Sequence, residues 1–138
     1  MEHVDTLILE PSGPGLHEFT DRVRRVVTES GIERGLCTVF VRHTSASLLI
    51  QENADPSARR DLEAWLARLA PEGDPLFTHV AEGPDDMPAH IRSMLTDVSI
   101  SIPVLDARPV LGTWQGIHLW EHRRHRSRRE VVVSVIGS

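Results

Sequence analysis

The period of hydrophobic and polar positions changes several times along this chain. From His3 to Glu10, Val4, Leu7 and Leu9 sit among polar neighbours in rough alternation, which predicts a first strand. Pro11-Ser12-Gly13-Pro14-Gly15 is a turn by composition. From Leu16 to Ser30 the apolar residues Leu16, Phe19, Val23, Val26 and Val27 recur at three- and four-residue steps. That is the period of a helix with one buried face, and Gly31 follows as its C-terminal cap. Leu36 to Arg42 is rich in β-formers and reads as a buried strand, and Ser47 to Glu52 reads as another. Asp55-Pro56 is a helix start, with aspartate as N-cap and proline in the first turn. This helix runs to about Leu69 and places Leu62, Trp65, Leu66 and Leu69 on one face. After a polar loop from Pro71 to Pro84, a short helix is expected from Pro88 to Leu95. The remainder, Val98–Val104, Val110–Glu121 and Glu130–Ile136, reads as a β-meander.

Helices and antiparallel-looking strands mix without strict βαβ alternation, so the predicted class is α+β. The expectation is one domain over residues 1–138, a sandwich-like antiparallel sheet with two main helices and a short one. Both faces of the last three extended segments carry apolar residues, more than two helices can cover, so a partner subunit is expected as a lid. Gly112 and Gly116 permit close backbone approach there.

Composition narrows the chemistry. The chain is 40% hydrophobic and 25% charged, and no apolar run approaches the ~18 residues of a membrane span. The first ten residues lack the basic start and apolar stretch of a signal peptide, so the expected compartment is the cytoplasm. A single cysteine, Cys37, excludes intrachain disulfides and multi-cysteine zinc sites, and its apolar strand offers no activating cation. All 15 basic residues are arginines, which removes Schiff-base lysine chemistry and the P-loop lysine. There is no tyrosine. Eight histidines remain as the main source of reactive groups.

Four segments can carry chemistry. His122 to Arg129 holds five arginines and no acid, +5 against a total of −5, which leaves −10 on the other residues. A cationic patch on an acidic body suits a phosphate or pyrophosphate, which arginine grips bidentately, and suits a long nucleic acid poorly. The plain alternative is a solvated loop. His43-Thr44-Ser45 follows a buried strand and can present an imidazole at the mouth of a sheet, or form an ordinary turn. Asp86 and His90 stand four apart at a helix start. Together with Arg92 they can bind a divalent metal or orient His90 as a base, the plain alternative being a capping aspartate and a half-exposed histidine. At the end of the last strand before the arginine run, a buried Glu121 beside imidazoles would be a base or metal-ligand candidate, the plain alternative being a polar strand end.

Taken together, His43-Thr44-Ser45-Ala46-Ser47-Leu48, Glu52-Asn53-Ala54-Asp55-Pro56, Glu82 to Ile91 (EGPDDMPAHI) and Gly112-Thr113-Trp114-Gln115-Gly116-Ile117 resemble the YjbQ-like family, called the secondary thiamine-phosphate synthase family. The resemblance covers nearly the whole chain. It implies an α+β fold, a cytoplasmic homotrimer and a secondary thiamine-phosphate synthase activity. The family's polar positions fall on His43, Thr44, Ser45, Asn53, Asp55, Asp86, His90, Gly112, Thr113, Trp114, Gln115 and Glu121, with arginines near Arg128 and Arg129. His79 falls near a family histidine. Arg92 stands where relatives often have lysine, which keeps the charge and loses the neutral amine.

The implied reaction joins a pyrimidine-methyl diphosphate to a thiazole phosphate with loss of pyrophosphate. His43, His90, Asp86 and Glu121 are the expected catalytic residues. Thr44, Ser45, Asn53, Arg92, Thr113, Gln115, Arg128 and Arg129 are the expected substrate contacts, with a divalent metal, magnesium or zinc, on His43 and His90. The alternatives are a metal-assisted hydrolase of a phosphorylated metabolite and a non-enzymatic trimeric protein that binds a small ligand; neither nucleic acid nor membrane is an expected partner. His43 and His90 are expected in one pocket, and at least one of Arg92, Arg128 and Arg129 is expected to face it.

Overall fold

A computed structural model describes residues 1–138 and places eight strands and three helices in two antiparallel sheets. The larger sheet has the order β1 (Glu2–Leu9), β8 (Arg129–Gly137), β3 (Arg34–Val41), β5 (Ser99–Leu105) and β6 (Arg108–Pro109). The smaller has the order β2 (Gly15–Glu18), β7 (Gln115–Glu121) and β4 (Ala46–Glu52). Helix α1 spans Thr20–Ser30, α2 Pro56–Leu69 and α3 Asp86–Leu95. The α+β class and the paired sheets agree with the sequence reading.

Alternation along the strands builds the core. One face of the large sheet supplies Leu7, Leu9, Cys37, Val39, Val41, Ile102, Val104, Val131, Val133 and Val135. Against it pack α1, through Val23, Val26 and Val27, and the small sheet, through Leu48, Ile117 and Leu119. Burial pushes the Cys37 thiol up to about 11, in keeping with its inert reading. The far face of the small sheet is covered by α2, where Leu66 packs on Leu16 and Trp120. Near-continuous burial along β7 follows, because it is the one strand sandwiched on both sides. Gly116 lies at its tightest point: a Cβ there would fall 2.8 Å from Asn53 Cβ, too close to accommodate without a shift.

Three expectations need correction. The helical period from Leu16 begins too early, because Gly15–Glu18 pairs with β7 as a strand and the helix starts at Thr20. Leu16 and Phe19 are buried in either geometry, so their spacing carried no distinction. Gly31 does cap α1, in the left-handed conformation at φ 71°. The apolar stripe of α2 is narrower than expected, with Trp65 57% and Leu69 53% exposed and only Leu66 buried. Asp55 nonetheless caps that helix by accepting from Ser57 N at 2.9 Å. Finally, the last strands form no meander: β5 pairs with β3, β7 crosses to the small sheet, and β8 inserts between β1 and β3. Periodicity marks a strand without naming its partner.

The outer face of the large sheet is bare. Val4, Thr6, Leu36, Thr38, Phe40, Ser101, Pro103, Leu105, Val132, Ser134 and Ile136 alternate with the core positions and form an uncharged middle, while Glu2, Arg34 and Glu130 share this face at its two ends. An antiparallel face turned to water is usually polar and charged.

The sheets are joined at one end by a buried ion pair. Arg129 Nε donates to Glu121 Oε1 at 2.7 Å, its Nη2 donates to Glu121 Oε2, and the carboxylate also accepts from Arg123 N at 3.1 Å. Removing one partner of a buried pair typically costs about 3–5 kcal/mol, because the other charge is left uncompensated. Glu121→Gln or Arg129→Met is therefore expected to lower the urea-unfolding free energy by about that amount. The double replacement Glu121→Leu with Arg129→Met should recover most of the loss, and additive losses would show that the pair is not what holds this end together.

Candidate functional site

Helix α3 begins at Asp86, four residues before His90, so both side chains share one helix face. The loop from residue 71 brings His79 to the same place. Asp86 Oδ2 lies 2.7 Å from His79 Nε2 and 3.2 Å from His90 Nε2, and the two imidazole centroids are 5.3 Å apart. The three ligating atoms lie within 4.8 Å of one another. Asp86 is buried, while both histidines reach solvent.

Arg123 holds this group from the other side. Its Nη1 donates to Asp86 Oδ1, its Nε donates to Asp85 Oδ2 at 3.0 Å, and its Nη2 donates to Glu82 O at 2.9 Å. Asp85 also accepts from Arg124 N at 3.0 Å. Burial by itself would raise the Asp86 carboxyl, but the His79 hydrogen bond and the charges of Arg123 and His90 outweigh it and hold it below the usual range. At Asp85 the penalty of burial is likewise overcome, by the Arg124 backbone and the Arg123 side chain.

The arginine-rich segment thus differs from a free cationic patch. Arg123 is taken by Asp85 and Asp86, Arg124 by Glu72, and Arg129 by Glu121. Arg126 and Arg128 are exposed and form no ion pair; with Glu10, Pro11, Ser12 and Ser127 they line a cavity of about 390 Å³, where two guanidinium groups face one carboxylate. Glu121, offered by the sequence as a base or metal ligand, has both oxygens engaged by its own chain.

Other expected residues are dispersed. His43 is no member of the His79–Asp86–His90 cluster; its Nε2 accepts from Glu130 N at 2.8 Å. Burial, then the Arg129 charge, pushes its pKa down. Thr44 is exposed in the β3–β4 turn, and Ser45 O accepts from Arg129 Nη2 and His122 N, each at 3.2 Å. Asn53, Thr113 and Gln115 gather at the opposite end of β7, where Gln115 Oε1 accepts from Gly112 N at 2.8 Å. Seven residues of strand put roughly 20 Å between the two ends. Arg92 Nη2 donates to Ala70 O at 2.8 Å. His79 as a third partner of Asp86 and His90 had only a loose signal in sequence, its nearness to a family histidine. His122, which is buried, had none beyond its place at a strand end.

The comparisons with known proteins agree with this fold. A family model described as UPF0047 protein YjbQ-like matches residues 5–138. A UPF0047 protein of Synechocystis is 53% identical over 99% of this chain and 92% of its own, and the YjbQ protein of Salmonella typhimurium is 39% identical over 96% of both. Among solved structures, an uncharacterised yjbq/upf0047 family protein of Clostridium acetobutylicum superposes with a TM-score of 0.87 at 35% identity, covering 96% of this chain and 99% of its own. A YbjQ-like protein of unknown function from Sulfolobus solfataricus gives 0.87 at 26% identity with full coverage of both.

Stability should depend on pH through His122. Burial, then the charges of Arg92 and Arg129, push its pKa down to about 3. Between about pH 6.5 and 3 the unfolded chain binds a proton there that the folded chain refuses, so stability is full above this window and falls as pH drops through it. The steepest contribution of this one group is about 1.4 kcal/mol per pH unit. Urea unfolding at pH 8 and pH 5 should show a smaller pH difference in His122→Gln than in the parent chain. An unchanged difference would mean that the buried ring is not the responsible group. The depressed carboxyls of Asp85 and Asp86 act lower, below about pH 4, in the same direction.

Proposed function

The chain belongs to the UPF0047 YjbQ-like family, and we propose that it is a transferase that couples a pyrimidine-methyl diphosphate to a thiazole phosphate at a metal site formed by His79, Asp86 and His90. The observation that carries this reading is the convergence of three ligating atoms on one face of α3. Two imidazoles and one carboxylate are a zinc-type donor set, whereas magnesium prefers oxygen ligands throughout. Three protein ligands leave a coordination position open, the pattern of reactive rather than structural zinc. When bound, the ion would polarise phosphoryl oxygens and offset the charge of departing pyrophosphate. The chain's own part is to hold Asp86 in place through Arg123 on its other oxygen, and to offer Arg126 and Arg128 to a phosphate.

A second reading, a metal-assisted hydrolase of one phosphorylated metabolite, draws on the same open position, which also suits a bound water. A coupled product that requires both substrates supports the transferase. Phosphate released from either alone supports the hydrolase, and tight binding without turnover leaves a ligand-binding protein. Elemental analysis should find about one zinc per chain, with metal and turnover each reduced by about a hundredfold or more in His79→Ala and His90→Ala. Metal retained in both variants would remove the cluster from the mechanism.

We also propose that the chain associates as a homotrimer through the bare face of the large sheet. Support comes from the uncharged middle of that face, with charges only at its ends, and from the implied family assembly. Light scattering at micromolar concentration should give about three times the chain mass of 15.5 kDa. Phe40→Arg, which sets a charge opposite Val132 on that face, should shift the protein toward monomer. A parent mass near 15.5 kDa would end this proposal.

A further inference from the structure

A separate cavity of about 380 Å³ opens between α2 and the end of β7, and none of His79, Asp86 or His90 lines it. Its apolar wall is Leu66, Ala67 and Trp120, and its rim carries Arg60 and Glu63 from α2 and Arg92 from α3. His122 lines it too, although the residue is only 2% exposed. The His122 ring lies 5.7 Å from Trp120, centroid to centroid.

The hydrogen bonds behind His122 determine which ring nitrogen carries the proton. Thr96 Oγ1 lies 2.8 Å from Arg92 O and 2.6 Å from Ser47 Oγ, and Ser47 Oγ lies 2.9 Å from His122 Nε2. A carbonyl only accepts, so Thr96 spends its single proton on Arg92 O. Ser47 must then donate to Thr96, and His122 Nε2 must donate to Ser47. All three bonds coexist only in the Nε2–H tautomer. Nδ1 is left as a lone-pair acceptor, and it is buried with no partner in the chain. A buried acceptor without a donor is costly, and such groups in native proteins call for an explanation.

We propose that this cavity binds a small planar aromatic or heteroaromatic molecule that donates an N–H or O–H to His122 Nδ1 and turns an anionic group toward Arg60 and Arg92. The volume fits a single-ring ligand and lies near the lower end for small-molecule sites. Trp120 and Leu66 provide the apolar surface for a ring. Glu121 is neutralised by Arg129, so two guanidinium groups face one free carboxylate, Glu63, and the lining favours an anion. The inference rests on this cavity alone and is independent of the metal reading, so His90→Ala should leave it intact.

The test uses protein labelled with 15N in its imidazoles and 4-hydroxybenzoate as the probe. Long-range 1H–15N spectra of the free protein should show His122 as the Nε2–H tautomer. Adding the probe at millimolar concentration should shift the Nδ1 resonance, while 4-methoxybenzoate, which has no donor, should bind about tenfold or more weakly. Arg60→Gln and Arg92→Gln should weaken the probe, and Ser47→Ala, with its fold checked by circular dichroism, should lose the tautomer preference. An Nδ1–H tautomer in the free protein, or equal binding of the hydroxy and methoxy probes, would overturn the proposal. So would an Nδ1 resonance that the probe leaves in place. The spectra of the parent chain decide the matter even if every variant fails to fold.

Discussion

Glu121 closes β7 in the small sheet and Arg129 opens β8 in the large one, so their ion pair spans the place where the chain passes from one sheet to the other. Both groups are buried, and neither can be left without the other except at a large desolvation cost. Arg129 also donates to Ser45 O, just before β4, and the His122 backbone N–H donates to the same carbonyl. Three strand ends are thereby drawn together. The seven residues between Glu121 and Arg129 must then leave and return within a short span, which throws Arg123 and Arg124 outward over α3.

That placement explains the charge pattern. A run of five arginines would repel itself if all were free, and here three are neutralised by carboxylates from distant parts of the chain. Asp85 and Asp86 also sit at the start of α3, where acidic groups are favoured by the helix dipole. Arg123 fixes Asp86 through Oδ1 and leaves Oδ2 toward the two imidazoles. A carboxylate oriented by its far oxygen is the arrangement that keeps metal ligands in position. Three arginines of the basic loop are therefore joined with the acidic body in one structure, and only Arg126 and Arg128 remain free.

Much of this was legible in the sequence, and the failures share a cause. Local signals located nearly every element: the Asp55 cap, the Gly31 cap, the β-rich run of β3, and the four-residue step from Asp86 to His90. What spacing cannot carry is the partner of each element. Leu16 fits a helical stripe and a strand buried under α2 equally well, and β5, β7 and β8 look like neighbours although they lie in different places. The same blindness affected charge, because the acids that neutralise Arg123 and Arg124 are 37 or more residues away in sequence. His79 stands in a polar loop with no periodic signal at all.

The polar positions suggested by the family resemblance divide between the two ends of β7, and their hydrogen bonds give the two groups different work. At one end Gln115 Oε1 is spent on Gly112 N, closing the turn that starts the strand, and Asn53 N donates to Trp114 O. These bonds set the register in which β4 meets β7, and register fixes which side chains face the core. Thr113 is exposed on the same turn. At the other end lie the buried ion pair, the hydroxyl chain behind His122, and the carboxylate held by Arg123. A lone pair on His122 and a carboxylate oxygen shared by two imidazoles lie there as well. Roughly 20 Å of strand separates the two ends, so within one chain the turn-forming end sets register, and both the proposed metal site and the proposed ring cavity lie where β7 gives way to the arginine loop.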